Sequence, residues 1–279
     1  MKKIGIMSLY YKTYNYGAQL QAYALQKAIE KLNFKCEQIC YKWQNSDIEY
    51  FYSTQTGNLD KFRSFSFNIP HSKKVYDPSN IHEANNEYDI FVCGSDQIWG
   101  VVNSMPKYVV PHMCLSFTDE DKIKFSYAAS FGSAKLTTNQ IPILKYWGSK
   151  LDNISMREQS AVTQISEITE KEVTSVLDPT LLLDRKEWES LINSEIYEEN
   201  YIFVYNIGEN LELDQTAKLL SEKTGYIIKT VSYSESDEAG PIEFLNLIKN
   251  AKYVLSNSFH GTCFSIIFEK QFYTFPVDN

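Results

Sequence analysis

The sequence predicts an α/β fold built from two doubly wound parallel sheets. Short apolar runs suited to buried strands alternate with amphipathic helical segments along almost the whole chain. Helical segments of about 8 to 15 residues between strands are typical of right-handed βαβ crossovers, which produce parallel sheets. The length of 279 residues favours two domains. We therefore predict an N-terminal domain over 1–183, a C-terminal domain over 184–279 and a ligand cleft between them.

The N-terminal domain begins with an apolar run at 2–9, which is typical of a buried strand. Apolar residues recur at helical spacing over 18–32. Residues 43–87 are polar and aromatic without a sustained period, and indicate an irregular excursion with one short helix near 60–67. Ser155 and Glu158 have the spacing of a capping box for a helix that ends near 165. The other predicted elements are strands at 36–41, 88–93, 123–129, 154–156 and 173–177 and a helix at 139–150.

The C-terminal domain has the same alternation of elements. Gly225 is suited to end one helix and Pro241 to begin another. An acidic, turn-rich loop is expected at 232–240. The predicted strands are 201–206, 226–231, 253–255 and 272–275, and the predicted helices are 186–193, 211–224, 241–250 and 261–268.

Composition excludes several classes of protein. The net charge of −8 argues against a broad nucleic-acid footprint or attraction to an anionic membrane. No apolar run approaches the roughly 20 residues of a membrane-spanning helix, and the first residues resemble a strand rather than a signal peptide. Five cysteines without a CxxC pair indicate reduced, buried thiols. We expect a cytoplasmic protein, in solution or peripheral at the inner face of the membrane, with no cofactor and no metal.

Candidate site residues follow the strands, because parallel sheets bind ligands beyond the carboxyl ends of their strands. Small, hydroxyl-bearing and glycine residues recur there, and the helix N-termini beside them suit phosphate or carboxylate groups. No Walker motif and no GxGxxG sequence is present. The residues are Asn15, Tyr16, Gly17, Gly94, Ser95, Asp96, Ser130, Arg157, Ser256, Ser258, His260, Gly261 and Thr262.

Three of these residues carry chemistry, and each has a structural alternative. His260 is either a general acid, a general base or a hydrogen-bond donor to phosphate, or it is a structural residue that caps a turn. Asp96 is either a carboxylate that accepts a proton from a hydroxyl, or the N-cap of a helix at 97–101. Arg157 either binds a carboxylate or phosphate in bidentate fashion, or pairs with Glu158 or a surface acid.

The remaining positions also allow two interpretations. Asn15 and Gly17 form either a turn that needs a positive φ or a place where the backbone approaches a ligand. Ser256 and Ser258 are helix caps, contacts for an anion, or both. Asp178 and the proline that follows it are interpreted as an interdomain turn.

Six short motifs occur in a fixed order along the chain, and together they cover nearly its whole length. They are 15–22 (NYGAQLQA), 94–99 (GSDQIW), 127–132 (YAASFG), 155–158 (SMRE), 177–182 (LDPTLL) and 258–262 (SFHGT). In this order they resemble the polysaccharide pyruvyl transferases. Each motif alone is weak, whereas six in order are specific for the family.

The resemblance implies a fold like that of the GT-B glycosyltransferases, with two Rossmann-like domains, the first facing the acceptor and the second the donor. It implies transfer of a pyruvyl group from phosphoenolpyruvate to a sugar of a surface polysaccharide, free or lipid-linked, to form a ketal. In the family, the Arg of S-x-R-E and the His of the late H-G motif are associated with the donor, and an Asp after the third strand is a candidate base. Here these residues are Arg157, His260 and Asp96.

This chain departs from the family pattern in two ways. Many relatives have an arginine where this chain has Ser258, so donor binding is expected to use Arg157, backbone amides, hydroxyls or another cation such as Lys252. Relatives also continue beyond the last strand, and the resemblance predicts that closing helices are lacking here. Two other functions stay open: a glycosyltransferase that uses a nucleotide sugar, and a non-catalytic scaffold in polysaccharide synthesis. The oligomeric state is open as well.

Overall fold

The computed structural model describes residues 2–11, 13–42, 59–100, 109–132, 136–192, 199–208, 210–231 and 239–276. Residues 43–58 of the predicted excursion at 43–87, and residues 232–238 of the predicted acidic loop at 232–240, lie outside these ranges. The chain forms two compact units. The described residues of 1–13, 18–54 and 67–182 form unit 1, and those of 14–17, 55–66 and 183–279 form unit 2. Two short segments that precede residue 183 therefore pack in unit 2.

The elements alternate between strand and helix, as the sequence predicts. The strands are β1 (Lys3–Met7), β2 (Lys35–Gln38), β3 (Ile90–Asp96), β4 (Ile123–Ala129), β5 (Ile154–Met156), β6 (Val173–Ser175), β7 (Tyr201–Tyr205), β8 (Ile227–Thr230), β9 (Tyr253–Ser256) and β10 (Gln271–Thr274). The helices are α1 (Tyr16–Lys31), α2 (Leu59–Ser66), α3 (Val109–Met113), α4 (Gln140–Ile143), α5 (Gln159–Thr169), α6 (Arg185–Glu189), α7 (Leu211–Thr224), α8 (Pro241–Asn250) and α9 (Phe259–Ile267). A π-helical turn, Leu144–Gly148, continues α4, and 3-10 turns occur at Ile81–Asn86 and Pro179–Leu182.

Unit 1 contains a six-stranded sheet in the order β2-β1-β3-β4-β5-β6, with parallel neighbours. Apolar residues cover both faces, as is usual for parallel sheets. Ile6 and Val92 pack with Leu25 of α1 on one side, and Phe91 and Ile165 belong to the larger cluster on the other. The predicted parallel α/β class is confirmed for this unit.

Unit 2 contains a four-stranded parallel sheet in the order β10-β9-β7-β8. Val204 and Leu255 pack against Leu213 of α7 on one face. An aromatic cluster that includes Phe203 and Phe244 packs on the opposite side of the strand. The second predicted doubly wound domain is thus also a parallel α/β unit.

Each sheet has one switch point, where successive connections leave in opposite directions. In unit 1 the chain places β2 on one side of β1 and β3 on the other, and in unit 2 it places β8 and β9 on opposite sides of β7. Ligands of open α/β sheets bind at such points, outside the carboxyl ends of the strands. A ligand site is therefore expected at the carboxyl end of β3 and at the loop after β9.

Two local predictions are wrong. The predicted capping box does not form, because Ser155 lies within β5 and its Oγ donates to the carbonyl of Ser126 on β4. Glu158 is itself the N-cap residue of α5 and makes no side-chain capping bond. The strand predicted to end at 93 continues to Asp96, because Gly94 and Asp96 pair with Tyr127 and Ala129 of β4.

The predicted buried thiols are confirmed, since Cys36, Cys40, Cys93, Cys114 and Cys263 are all free and buried. Among the described helices, none is both long and apolar enough to cross a bilayer.

Candidate active site

The guanidinium of Arg157 lies among three carboxylates in unit 1. Its Nη1 is 3.2 Å from Asp178 Oδ2 and 3.4 Å from Asp96 Oδ1, and its Nε is 3.3 Å from Glu158 Oε1. Nη2 donates to Ser130 Oγ over 3.0 Å. With every group ionised, three negative charges surround one positive charge. Arg157 therefore pairs with Glu158, as the structural alternative expects, but its other partners are the largely buried Asp96 and the fully buried Asp178 rather than a surface acid.

Sheet register explains why these residues meet. Asp96 of β3 pairs with Ala129 of β4, and Ala129 pairs with Met156 of β5. Asp96, Ser130 and Arg157 thus leave three adjacent parallel strands at the same edge of the sheet. This is the convergence at strand ends that the sequence analysis expected.

Asp96 is held by its backbone in an unusual conformation. Its φ is +70°, in the left-handed region, and its carbonyl accepts from the backbone N–H groups of Ile98 and Ser130. Residues 97–100 form a turn, so the predicted N-cap role of Asp96 is wrong within the described chain. The side chain remains 15% exposed, compared with 6% for Arg157. Asp96 is thus more open to solvent than the guanidinium that it contacts.

Asp178 is a member of this cluster that the sequence analysis missed. Its side chain is completely buried. Oδ1 accepts from the backbone N–H and the hydroxyl of Thr180, and Oδ2 accepts from Ser95 Oγ as well as Arg157. The strand-end position after β6 was the available signal, but the following proline favoured the interpretation as a turn.

Burial and charge act on Arg157 in opposite directions. Burial alone lowers the pKa of the guanidinium, but the charges of Asp96, Asp178 and Glu158 outweigh it and the pKa is raised. Arg157 is therefore permanently charged and tied to its carboxylates. A further anion that binds Arg157 competes with these three carboxylates.

Gly94, Ser95 and Ser130 support the cluster from within the sheet. Gly94 has a φ of +123°, and a β-carbon there would overlap the carbonyl oxygen of Tyr127. Ser95 and Ser130 are fully buried, and Ser130 Oγ donates to Glu158 Oε1 while it accepts from the N–H of Gly132. The contacts seen for the two serines are internal to unit 1.

His260 lies in the first turn of α9 in unit 2, and it is 7% exposed. Ser258 is the N-cap of this helix, and its Oγ accepts from the N–H of Gly261. The imidazole lies against Gly17, where a β-carbon would overlap the ring. The late H-G motif thus forms a capped helix start with a buried histidine.

The segment with Asn15, Tyr16 and Gly17 packs in unit 2 rather than forming a turn with positive φ. Gly17 is helical, and the close approach made possible by its missing side chain is to His260. Tyr16 is 1% exposed, stacks on Phe244 with ring centroids 4.7 Å apart, and donates its hydroxyl to the carbonyl of Ala239. Tyr16 is therefore a buried residue among aromatic rings, and the substrate contact expected for it stays a prediction.

The loop after β9 is fixed by its own polar side chains. Ser256 Oγ donates to the carbonyl of Tyr205 and accepts from the N–H of Ser258, so Ser256 is not a helix cap. Thr262 Oγ1 donates to the carbonyl of Ser258. Asn257, which the sequence analysis did not select, accepts from the N–H of Ile207 and so links the ends of β7 and β9.

The predicted residues therefore divide between the two units. Gly94, Ser95, Asp96, Ser130 and Arg157 come together in unit 1 with Asp178 and Glu158. The unit 2 group is Asn15, Tyr16, Gly17, Ser256, Ser258, His260, Gly261 and Thr262. One cavity shared by Arg157, Asp96 and His260 stays a prediction.

Comparison with solved structures defines the class of fold. The chain resembles S. aureus MnaA, in a co-structure with UDP, at a TM-score of 0.56 and 12% identity, covering 98% of this chain and 79% of that one. It resembles a UDP-GlcNAc 2-epimerase from Methanocaldococcus jannaschii at a TM-score of 0.59 and 13% identity, covering 98% and 83% of the two chains. Such identities show the fold alone, and the fold is GT-B-like.

A family model described as polysaccharide pyruvyl transferase matches residues 15–279. The chain belongs to this family, which is a family of transferases, and the resemblance found in the sequence is confirmed. A sequence comparison with curated proteins finds no match.

Proposed function

We propose that this protein transfers a pyruvyl group from phosphoenolpyruvate to a sugar of a surface polysaccharide, or of its lipid-linked precursor, and forms a ketal. Family membership supports the class of reaction. The observation that carries the proposal is the pair of Asp96 and Arg157, whose carboxylate and guanidinium lie 3.4 Å apart at the carboxyl ends of β3 and β5. A base for a hydroxyl and a fixed cation near it are the groups that this chemistry requires.

The first step of the proposed reaction joins the acceptor to the donor. A sugar hydroxyl attacks the enol carbon of phosphoenolpyruvate while its proton passes to Asp96. The methylene carbon of the donor receives a proton, which we assign to His260, and becomes a methyl group. The product of this step still carries the phosphate on the carbon that was attacked.

The second step closes the ketal. A second hydroxyl of the same sugar attacks the same carbon, and the bond from that carbon to the phosphate oxygen breaks. The proton of the second hydroxyl leaves with the phosphate, and the proton on Asp96 returns to His260 through solvent. The two hydroxyl protons thus end as one new methyl hydrogen and one protonated phosphate. The glycan gains a carboxylate.

In this proposal Arg157 holds the anionic donor by exchange with one of its carboxylate partners, and backbone amides and hydroxyls of the loops after β3, β4 and β9 provide further donors. Oxygen atoms that develop charge are stabilised best by groups that are already in place. The resemblance predicts an arginine where this chain has Ser258, so donor binding in this chain is expected to depend more on Arg157. The contribution of Arg157 to donor affinity is therefore directly measurable here.

The test is incubation of the purified protein with phosphoenolpyruvate and candidate glycans. Release of phosphate together with the mass gain of one pyruvyl ketal supports the proposal. The variants His260→Ala and Asp96→Ala are each expected to lower the rate by roughly 10²- to 10⁴-fold. If both variants transfer pyruvate at the wild-type rate, the assignment of these residues is wrong.

A parallel experiment with nucleotide sugars addresses the alternative of a glycosyltransferase, because structures of similar fold include one obtained with UDP. A ligand that binds the folded state raises the melting temperature. A shift with phosphoenolpyruvate and none with UDP-sugars favours pyruvyl transfer, and the reverse result favours glycosyl transfer. Absence of any donor binding favours a scaffold.

A further inference from the structure

Asp178 lies deeper in unit 1 than the other carboxylates of the Arg157 cluster. Its side chain has no exposed surface, whereas Asp96 is 15% exposed and Glu158 is 24% exposed. A buried carboxylate is strongly unfavourable unless it is paired and hydrogen-bonded. Arg157, whose Nη1 lies 3.2 Å from Asp178 Oδ2, carries the opposite charge.

The carboxylate of Asp178 is fixed on both sides. Oδ1 accepts from the N–H of Thr180 over 3.0 Å and from its hydroxyl over 2.8 Å. Oδ2 accepts from Ser95 Oγ over 3.2 Å, on the residue next to Asp96. These contacts link the segment after β6 to the end of β3 and leave the carboxylate little freedom to rotate.

One nitrogen atom connects the buried carboxylate to the more exposed one. Arg157 Nη1 lies 3.2 Å from Asp178 Oδ2 and 3.4 Å from Asp96 Oδ1. The two hydrogens of that nitrogen have fixed directions in a planar guanidinium. The position in which Asp178 holds Nη1 therefore determines the position from which Nη1 donates to Asp96.

We infer that Asp178 is a positioning residue, whose buried carboxylate fixes the guanidinium of Arg157 and, through it, the carboxylate of Asp96. Its catalytic consequence rests on the proposed function, whereas its effect on Arg157 does not. A displacement of about 1 Å in a reacting group costs on the order of 100-fold in rate. Loss of the Asp178 charge should therefore slow the reaction without Asp178 touching substrate.

The catalytic test is a double-mutant cycle between Asp178 and Arg157. Asp178→Asn is nearly isosteric and should lower kcat/KM on the order of 100-fold in the wild-type background, with most of the loss in kcat. In an Arg157→Gln background the same change should cost less than about twofold, because residues that act as a unit are not additive. A merely structural role predicts the same factor in both backgrounds, and that result overturns the inference. Asp152→Asn, in a loop of the same unit, is the matched control and should leave kcat/KM unchanged.

A second readout does not depend on activity. Arg63, Arg157 and Arg185 are the three arginines of the sequence, so the side-chain Nε–H signals in a ¹⁵N spectrum can be assigned with Arg157→Lys. The Arg157 signal should exchange slowly with water, since that side chain is 6% exposed and Arg185 is 45% exposed. Asp178→Asn should accelerate its exchange at least about tenfold, and Asp152→Asn should not.

The kinetic measurement and the exchange measurement distinguish failure of the proposed function from failure of the positioning role. If the wild-type protein shows no pyruvyl transfer, the proposed function fails and the exchange measurement alone decides the positioning role. Unchanged exchange of the Arg157 signal in Asp178→Asn overturns the inference. Should Asp178→Asn be insoluble, Thr180→Val, which removes one hydrogen bond to Oδ1, should shift both readouts in the same direction by a smaller factor.

Discussion

Gly17, near the start of α1, lies directly against the imidazole ring of His260, and a β-carbon at Gly17 would overlap that ring. Two motifs far apart in the sequence, NYG and HG, thus share one packing contact in unit 2. The imidazole of His260 therefore requires a glycine at position 17. This contact places His260 in a defined position at the start of α9.

Gly17→Ala should therefore destabilise the protein, although the same change in an open helix position stabilises it. Overpacking of this kind costs about 1–3 kcal/mol, against a gain in helix propensity of about 1 kcal/mol or less. Urea unfolding measures the difference. In the His260→Ala background the cost of Gly17→Ala should disappear, because the overlapping ring is gone. A Gly17→Ala variant at least as stable as wild type would contradict the contact.

Asp96→Asn should remove activity and leave the fold intact. The side chain is partly exposed, and the backbone of Asp96 is held by bonds that the substitution does not change. We expect kcat for pyruvyl transfer to fall by about 10²- to 10⁴-fold, with a melting temperature close to that of wild type. Asp89→Asn, at an exposed carboxylate that accepts from the N–H of Lys3, is the control for loss of a charge. Equal kcat values for the two variants would refute a role for Asp96 as base.

Tyr16→Phe tests the assignment of Tyr16 to the core of unit 2. The substitution keeps the ring that stacks on Phe244 and removes the hydroxyl that donates to the carbonyl of Ala239 over 2.9 Å. The free energy of unfolding should fall by about 1–3 kcal/mol, the cost of leaving a buried acceptor unsatisfied. Tyr146→Phe, at a side chain that is 58% exposed, should change it by less than about 0.5 kcal/mol. If both variants unfold at the same urea concentration, the hydroxyl of Tyr16 contributes nothing.

Cys36 should make stability depend on pH in the alkaline range. Burial, with a smaller contribution from Glu30, raises the pKa of its thiol from 9.0 to about 12. As pH rises, the thiol ionises first in the unfolded chain. The contribution of Cys36 to the free energy of unfolding is therefore fully present below pH 9 and is lost as pH rises towards about 12. Urea unfolding across this interval should show a steeper decline for wild type than for Cys36→Ala. Parallel curves for the two proteins would show that the thiol does not titrate in this way.

Local patterns in the sequence were sufficient for most elements. Each strand or helix is encoded by the spacing of apolar residues within a short segment of the chain. The order of the βαβ units therefore follows from short-range information. The short helix predicted near 60–67 is present as α2. As predicted, Gly225 ends α7 and Pro241 begins α8. Boundaries that depend on pairing with a neighbouring strand, such as the extension of β3 to Asp96, were missed.

Side-chain partners were less predictable. The sequence placed Asp96, Ser130 and Arg157 at strand ends, and the sheet order β3-β4-β5 makes them neighbours. It assigned Asp178 to a turn and Glu158 to a capping box, because both fit short local motifs. Each instead contacts Arg157, through a geometry that depends on the side-by-side order of β4, β5 and β6.

The amino-acid sequence by itself determined the parallel α/β class, the family and the strand ends at which polar groups collect, because periodicity and ordered motifs are properties of short segments. Only the tertiary structure decided that Asp178 is buried against Arg157, that Tyr16 belongs to an aromatic core and that Gly17 lies against His260. These contacts join residues that are distant in the chain, and their geometry is fixed by sheet register and close packing rather than by any local preference.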